Sequence, residues 1–157
     1  MTLRALYWLL TVLNLSLVGV GATTPPPRRC GGSVSKLAQS MNILAAGLPG
    51  HPVIDGHLVA YQNRDLEGFA SFFSAEIKSF KNGQDNLSGI SQLRDIYAKL
   101  FSASPNLRVR ISERRIEGEY IFDTEHVVGL RGSENEITAK VKYRVVDGKI
   151  IEMHLSI

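Results

Sequence analysis

Residues 137–157 read ITAKVKYRVVDGKIIEMHLSI, and this stretch decides the fold. On both sides of Asp147-Gly148, apolar residues alternate with polar ones. A period of two is typical of a strand that has one buried face and one solvated face. Asp-Gly between two such runs is a strong signal for a two-residue hairpin turn. The stretch therefore predicts two antiparallel strands joined by a tight turn.

The same pattern extends towards the N-terminus. Residues 107–112 alternate between apolar and polar side chains, and a further strand is expected over 120–129. The turn signal Gly-Ser-Glu-Asn at 132–135 separates this strand from the hairpin. The C-terminal third of the chain thus predicts a meander of antiparallel strands covered on one side only.

Three amphipathic helices are predicted ahead of this meander. The first spans 51–64, Asp65 is suited to cap the second, and Ser88 is suited to cap the third. A short strand is expected at 77–80 between the last two helices. Helices followed by strands indicate an α+β fold. The apolar faces of the helices comprise Ile54, Leu58 and Tyr61, then Leu66, Phe69, Ala70 and Phe73, then Ile90, Leu93, Tyr97, Leu100 and Phe101.

Residues 1–22 resemble a secretory signal peptide. One positive charge, Arg4, precedes an uncharged run that ends in the small residues Val-Gly-Ala. The run is just long enough to cross a bilayer, so an uncleaved membrane anchor is a second interpretation. A third is a start codon assigned too early, with translation beginning at Met41. The three interpretations predict an exported (secreted or periplasmic), a membrane-anchored and a cytoplasmic protein, respectively.

Residues 23–50 are predicted to form a Pro/Gly-containing linker and arm ahead of the domain at 51–157. Prolines stiffen the first part of this segment, and glycines loosen the second part. Cys30, the only cysteine, lies here and has no partner for an intramolecular disulfide. The residues before it do not match a lipoprotein signal. We interpret Cys30 as an incidental linker residue.

The charge balance argues against nucleic acid as a partner. The chain carries 18 basic and 15 acidic residues, a net charge of +3 at pH 7. The basic residues are scattered, and no stacking platform of aromatic residues accompanies them. The apolar content of 44% and the charged content of 21% are those of an ordinary globular protein.

Five short segments carry a resemblance to a known family. They are YQNRDLEG at 61–68, FF at 72–73, LSGI at 87–90, FDTEHVVG at 122–129 and YRVVDGKI at 143–150. Their order and spacing resemble the nuclear transport factor 2-like superfamily, in its SnoaL-like and ketosteroid-isomerase-like branch. The resemblance implies a cone-shaped, curved antiparallel β-sheet packed against three N-terminal helices, with a deep apolar pocket between them. Its members include isomerases, polyketide cyclases, dehydratases, epoxide hydrolases and non-catalytic binding or dimerisation domains, so the fold does not choose a function.

The carboxylates of ketosteroid isomerases are missing from this chain. Those enzymes use an Asp base and an oxyanion hole made of Tyr and a protonated Asp. By the resemblance, the tyrosine falls on His57, the base falls near Lys81 and the second aspartate falls on Val141. We therefore do not expect steroid isomerisation by that route.

His57 is the first candidate for a catalytic residue. It shares a helical face with Ile54, Leu58 and Tyr61, which would point its ring into the cone. The alternative is a histidine at the rim of the cone that is bonded to a backbone carbonyl or to water.

His126 is the second candidate for a catalytic residue, provided that the strand 120–129 turns it inward. Phe122 would then face inward as well, and a pair of histidines could serve as acid and base near neutral pH. The opposite facing would turn Asp123 and Glu125 inward, because a shift of one residue exchanges the two faces of a strand. We favour the first facing, which makes Asp123 and Glu125 solvent- or interface-facing carboxylates.

Further residues are expected to line the pocket. They are mostly aromatic, so a ligand that they contact would be apolar. The tyrosines could donate hydrogen bonds to it, although packing in the core with a satisfied hydroxyl is the alternative. The predicted lining residues are Tyr61, Phe69, Phe73, Tyr97, Phe101, Phe122, Val141, Tyr143 and Met153.

No metal or cofactor is expected. The four histidines lack a ligand spacing such as HExxH, and there is no Gly-rich phosphate loop and no nucleophile elbow.

Two hypotheses about function remain open. The first is a pocket protein that binds a small apolar molecule and acts on it by cofactor-free acid–base chemistry, as an isomerase, lyase or cyclase. The second is a non-catalytic ligand-binding or dimerisation domain. A homodimer would use the outer face of the sheet, and a membrane would be a partner only if residues 1–22 stay uncleaved. That outer face is predicted to carry Lys140, Lys142, Arg144, Glu152 and His154.

Overall fold

The computed structural model describes residues 43–157 of the chain. The helices of this part are α1 (Pro52–Asn63), α2 (Leu66–Ala70) and α3 (Ile90–Ser102). The strands are β1 (Phe73–Lys81), β2 (Gln84–Ser88), β3 (Arg108–Glu117), β4 (Tyr120–Val128), β5 (Ile137–Val146) and β6 (Lys149–Ser156). A single 3-10 turn, Leu130–Gly132, lies between β4 and β5.

The strands form one curved, open sheet in the order β2-β1-β6-β5-β4-β3. This architecture confirms the α+β class and the packing of helices on a curved sheet. The sheet is mixed rather than wholly antiparallel, because β1 runs parallel to β6. A helix and four strands separate these two strands in the chain, so no tight turn imposes an antiparallel direction on them. We call the side of the sheet that faces the helices the inner face and the opposite side the outer face.

The predicted turn at Asp147-Gly148 is confirmed. Both residues have positive φ angles, 49° and 72°, and β5 pairs antiparallel with β6 on either side of them. Two positive φ angles define the type I′ turn, whose twist matches that of the flanking strands. The local sequence therefore specifies the turn and the pairing direction of this hairpin.

The predicted cap at Asp65 is also present, whereas the one at Ser88 is not. The Asp65 carboxylate accepts a hydrogen bond of 2.9 Å from the backbone N–H of Gly68, which satisfies one free donor at the start of α2. Ser88 instead ends β2, and Gly89 precedes α3 without a side-chain cap. The Ser88 N–H donates to the Gln92 side chain at 2.7 Å, so a residue within the helix takes over part of the capping.

Two elements differ from the sequence predictions. Phe73, predicted to lie on the face of the second helix, begins β1 instead, because α2 ends at Ala70. The strand β2 is absent from the sequence predictions. Four of its five residues are exposed, so it carries no alternation to detect.

The prediction for the facing of β4 is wrong. Asp123 and Glu125 are buried on the inner face, and His126 and Phe122 lie on the outer face. The apolar residues of this strand are divided between its two faces, so hydrophobicity alone does not select one. The pairing of Asp123 with Arg114 across β3 and β4 does select it.

The free edge of β3 is covered by other parts of the chain. Leu44 bridges to Ile111, and the N–H of Ala45 donates to the Ile111 carbonyl at 3.0 Å. Further along, the Gln62 side chain accepts the N–H of Val109 at 3.1 Å. These contacts satisfy backbone groups that would otherwise be open to another chain. The last residues of the predicted arm therefore pack on the sheet.

The remaining N-terminal predictions lie outside the described residues. They are the signal peptide or anchor at 1–22, the linker up to residue 42, Cys30 and the alternative start at Met41. Between residues 43 and 157, no helix has the length and apolar character needed to span a bilayer.

Candidate functional site

Seven of the predicted site residues meet inside the cone. Their rings pack with centroid separations between 4.4 and 6.2 Å, in tilted and edge-to-face arrangements. Such geometries are favourable between aromatic rings. Phe69 lies near the centre and contacts rings from both long helices and from β1. The members of this aromatic cluster are His57, Tyr61, Phe69, Phe73, Tyr97, Phe101 and Tyr143.

His57 is buried in this cluster and uncharged at neutral pH. Its Nδ1 lies 3.2 Å from the carbonyl oxygen of Ile54, which can only accept, so Nδ1 carries the proton and donates. Burial is the main reason that the pKa of His57 falls to about 4. The hydrogen bond to a backbone carbonyl agrees with the alternative considered from the sequence, although the ring is 3% exposed and not at the rim.

Glu125 and Tyr143 form a buried acid pair beside these rings. The Tyr143 hydroxyl donates a hydrogen bond of 2.6 Å to Oε1 of Glu125. Burial raises the pKa of Glu125 to about 7, and the bond from Tyr143 opposes this rise only in part. Burial and the nearby Glu125 raise the pKa of Tyr143, so the hydroxyl keeps its proton. A carboxyl group that titrates near neutrality therefore lies within an apolar interior.

Arg114 joins the sheet to helix α1 through two carboxylates. Its Nε and Nη2 bond both oxygens of Asp123 at 2.7 Å, and its Nη1 bonds Asp55. Burial alone would lower the pKa of Arg114, but its bonds and charge attraction to Asp123 and Asp55 raise it. The guanidinium is therefore charged, and two hydrogen bonds to one carboxylate fix its orientation.

The ion group Asp55–Arg114–Asp123 and the acid pair Glu125–Tyr143 lie close enough to influence each other. Asp123 and Glu125 are separated by two positions in β4, so both point to the inner face. The charges of Asp123 and Arg114 both bear on the pKa of Glu125, and Arg114 also helps to lower that of His57. Ser79, buried on the inner face of β1, has no hydrogen-bond partner for its hydroxyl among the described residues. Its hydroxyl is available to a ligand or to water.

Val141 and Met153 are also buried on the inner face, as predicted. His126 and Phe122 are not part of this interior. Sequence reasoning missed the ion group Asp55–Arg114–Asp123, the role of Glu125, and Ser79. The spacing of Asp123 and Glu125 was the available signal, since it places both carboxylates on one face whichever way the strand turns.

Two cavities border the sheet away from the aromatic cluster. One of about 590 Å³ lies mainly over the outer face and is lined by Phe122, Lys140, Lys142 and His154, among others. The other, of about 360 Å³, lies by the edge strand β3 and includes His126. No group of three or more His, Cys, Asp or Glu side chains within residues 43–157 is arranged to hold a metal ion.

Comparison with known proteins agrees with this architecture. The family profile of the SnoaL-like domain matches residues 54–153, which is most of the described chain. The chain belongs to the SnoaL-like domain family, within the nuclear transport factor 2-like superfamily. No curated protein sequence matches significantly.

Solved structures similar to this SnoaL-like domain share its fold at low identity. An NTF2-like protein of unknown function from Cytophaga hutchinsonii has a TM-score of 0.57 at 11% identity, over 69% of this chain and 88% of its own. A candidate polyketide cyclase from Sinorhizobium meliloti has a TM-score of 0.55 at 13% identity, over 68% and 94%. A protein with a ketosteroid isomerase-like fold from Catenulispora acidiphila, in complex with trimethylamine, has a TM-score of 0.57 at 13% identity, over 68% and 85%.

Proposed function

We propose that this SnoaL-like domain binds a small, largely apolar molecule inside the cone and transfers a proton to or from it without a cofactor. Glu125 would be the group that exchanges the proton. The observation that carries the proposal is the buried Glu125–Tyr143 pair, because a carboxyl group with a pKa of about 7 is matched to proton transfer near neutral pH. Strongly shifted pKa values of this kind concentrate at functional sites.

The surroundings of Glu125 suit a substrate that loses a proton from carbon. The ionised carboxylate would take the proton, and its return to a second position would complete an isomerisation or a ring closure. The Tyr143 hydroxyl would hold the carboxylate in place through its hydrogen bond. These groups belong to the chain itself, so the proposed chemistry needs no metal.

His57 fits the role of an orienting group better than that of an acid or base. The pKa of His57 is about 4, and its Nδ1–H donates a hydrogen bond to the Ile54 carbonyl. Its Nε2 is therefore unprotonated at neutral pH. That nitrogen can accept a hydrogen bond from a ligand hydroxyl. Ser79 would offer a second polar contact from β1.

A ligand can enter only if some of the packed rings move. Tyr61 and Tyr97 are partly exposed, and they contact each other with a centroid separation of 6.2 Å. Rotation of these two side chains is the smallest change that would open the cone. Side-chain rotation of this kind is common when proteins bind ligands.

Native mass spectrometry of protein purified from its own host tests the proposal. We expect a small apolar molecule to co-purify with the wild type and with the Glu134→Gln control, whose carboxyl group lies in an exposed loop. Incubation of the trapped molecule with fresh wild-type protein in D₂O should introduce deuterium, and Glu125→Gln should slow this by roughly 100-fold or more. Binding without exchange would contradict the proton transfer. An empty protein that takes up no hydrophobic probe would contradict the pocket as well.

The packing of the interior favours a second candidate function, a non-catalytic domain that forms a homodimer through the outer face. That face exposes Tyr120 beneath Lys142 and places Arg115 over Phe122 at 4.5 Å. Mixed charges and aromatic rings permit a self-complementary contact about a two-fold axis. Sedimentation velocity should then show a dimer that Lys142→Glu weakens and Lys99→Glu, on the helical side, does not. A monomer at micromolar concentration would contradict this candidate.

A further inference from the structure

Ser112 is the extra residue of a β-bulge in strand β3. Ile111 pairs with Glu125, and Glu113 pairs with Thr124, the residue next to Glu125 in β4. Ser112, which lies between Ile111 and Glu113, therefore has no pairing partner of its own in β4. Bulges redirect side chains and are frequent beside active sites. Here the consequence is a serine that lies close to the outward-facing His126 of the neighbouring strand.

Ser112 and His126 are joined by a short hydrogen bond, and a carboxylate holds the other side of the ring. The Ser112 Oγ lies 2.8 Å from Nε2 of His126, and Nδ1 of His126 lies 2.9 Å from Oε1 of Glu136. An ionised carboxylate can only accept, so Nδ1 carries a proton and donates it to Glu136. In the neutral ring Nε2 is then an acceptor, and the Ser112 hydroxyl donates to it, since the other acceptor within reach, the Thr124 carbonyl oxygen, lies farther away at 3.5 Å. Thr138 Oγ1 also lies near Nδ1, at 3.3 Å, and does not compete for Nε2.

We propose that Ser112, His126 and Glu136 form a nucleophile, a general base and a positioning carboxylate at the outer face, and that Ser112 accepts an acyl group there. A hydroxyl bonded to a base, with the base oriented by a third group, is the arrangement that activates serine in unrelated folds. The site is separate from the cone, because His126 and Glu125 point to opposite faces of β4. The inference therefore does not depend on the proposed function of the interior.

The cavity beside His126 indicates the class of substrate. It has a volume of about 360 Å³, and both Glu136 and His126 lie on its wall. Ser112 does not line this cavity and is joined to it through its hydrogen bond to His126. Arg108 and Arg110 lie on the same wall, and Arg110 is the cross-strand partner of His126. Two guanidinium groups favour an acyl group that carries its own carboxylate. The substrate class is thus a small ester of a dicarboxylic acid with one free carboxylate.

The reaction is balanced with water as the only co-reactant. Ser112 Oγ attacks the ester carbonyl while Nε2 of His126 takes the hydroxyl proton. The ester C–O bond then breaks, and His126 returns the proton to the leaving alkoxide, which departs as an alcohol. Water attacks the acyl-serine with His126 as base, releasing the carboxylate and regenerating the Ser112 hydroxyl.

The first test is covalent labelling followed by peptide mapping. A fluorophosphonate probe reacts with activated serine hydroxyls by displacement of fluoride, and we expect its adduct on Ser112 in the full-length protein. The His126→Gln variant, which keeps a hydrogen-bonding side chain but no base, should label roughly 100-fold more slowly. Ser156→Ala removes another hydroxyl near the end of β6 and should label as the wild type does. Absence of an adduct on Ser112, or equal labelling of His126→Gln, would overturn the proposal.

Turnover tests the positioning carboxylate and the substrate class. After subtraction of the rate measured for each ester without protein, mono(4-nitrophenyl) succinate should be hydrolysed faster than 4-nitrophenyl acetate, and Arg110→Gln should remove this preference. The subtraction is required because the free carboxylate of the succinate ester promotes its own hydrolysis. Glu136→Gln should lower the rate of hydrolysis, and Glu136→Asp, which keeps a carboxylate, should recover part of the lost rate. A merely structural role of Glu136 would not predict this recovery. Each variant is first checked for wild-type circular dichroism. Equal rates for the two esters would overturn the assigned substrate class, and unchanged rates in Glu136→Gln would overturn the role of Glu136.

Discussion

The two faces of strand β4 carry the same kinds of side chain in opposite surroundings. On the inner face Asp123 and Glu125 are buried, and on the outer face Thr124 and His126 are in contact with solvent or partly covered. Ion pairs and hydrogen bonds to carboxylates occur on both faces. On the inner face, however, little water is present to stabilise a charged carboxylate, and burial is therefore the largest cause of the raised pKa of Asp123 and of Glu125.

Neighbouring arginines of β3 show the same contrast. The Arg114 side chain is fully buried between two carboxylates, whereas the Arg115 side chain is 64% exposed beside Glu117. A buried ion pair contributes little by itself, but its loss leaves an unpaired charge in the interior. An exposed pair is solvated whether or not it forms. The face of the strand on which an arginine lies, rather than the type of residue, therefore decides how much stability is lost when its charge is removed.

Arg114→Met should produce the largest loss of stability. Because Asp123 would keep a buried carboxyl group without its partner, we expect the free energy of unfolding to fall by about 3–5 kcal/mol. Arg115→Met on the outer face should change it by less than about 1 kcal/mol. Urea denaturation followed by circular dichroism measures both values.

The double variant Arg114→Met/Asp123→Leu distinguishes the destabilisation caused by an unpaired buried charge from that caused by lost packing. It leaves only Asp55, whose side chain is 19% exposed, so it should be more stable than Arg114→Met alone. Equal losses in Arg114→Met and Arg115→Met would contradict the contrast between the two faces.

Glu125→Gln should change how stability depends on pH. The pKa of Glu125 is raised from 4.5 to about 7 in the folded protein, so the unfolded chain ionises first as the pH rises. The wild type then loses about 3 kcal/mol of stability between pH 4.5 and 7 through this group, by linkage. The stability of Glu125→Gln relative to the wild type should rise by that amount over this window. Denaturant titrations at several pH values measure it, with Glu134→Gln as a control for the loss of one charge.

His57→Phe should show a dependence of opposite sign. The pKa of His57 is lowered from 6.5 to about 4, so the wild type gains stability as the pH rises between these values. Relative to the wild type, His57→Phe should lose about 3 kcal/mol across the same range. The two groups oppose each other between pH 4.5 and 6.5. A double variant with both substitutions should therefore track the wild type in that window, and a slope as steep as that of either single variant would show that the assigned pKa values are wrong.

Much of the fold could be predicted from local patterns. The C-terminal hairpin follows from alternation and from Asp147-Gly148, and α1 follows from its apolar spacing. The strand β2 could not be predicted, because it is polar and is held by pairing with β1 rather than by its own pattern. The direction of β1 depends on β6, which lies at the other end of the domain.

Only the aromatic and aliphatic part of the site could be predicted. Helical spacing places His57 and Tyr61 in the interior, and both lie there. The acidic part depends on which face of β4 is buried. Ile121 and Phe122 point to opposite faces and are both apolar, so the local sequence does not select one face. The contact that settles the facing joins Arg114 to Asp123, and the bulge at Ser112 is a property of two paired strands. Neither is visible in one stretch of sequence.

Tyr143→Phe should have a smaller effect than the charge variants, since it removes one hydrogen bond and little volume. The lost bond is made to a buried acid, so we expect a cost of about 1–3 kcal/mol. Because this bond holds the pKa of Glu125 down, its loss should also raise that pKa above about 7. NMR titration of the Glu125 carboxyl carbon measures the second effect.

Tyr120→Phe is the matched control for this prediction, because Tyr120 is 36% exposed on the outer face. Its removal should cost less than about 0.5 kcal/mol, as is usual for surface substitutions. A Glu125 titration that does not move in Tyr143→Phe would mean that burial alone sets its pKa. The inner face would then owe its chemistry to the exclusion of water and not to the Tyr143 hydroxyl.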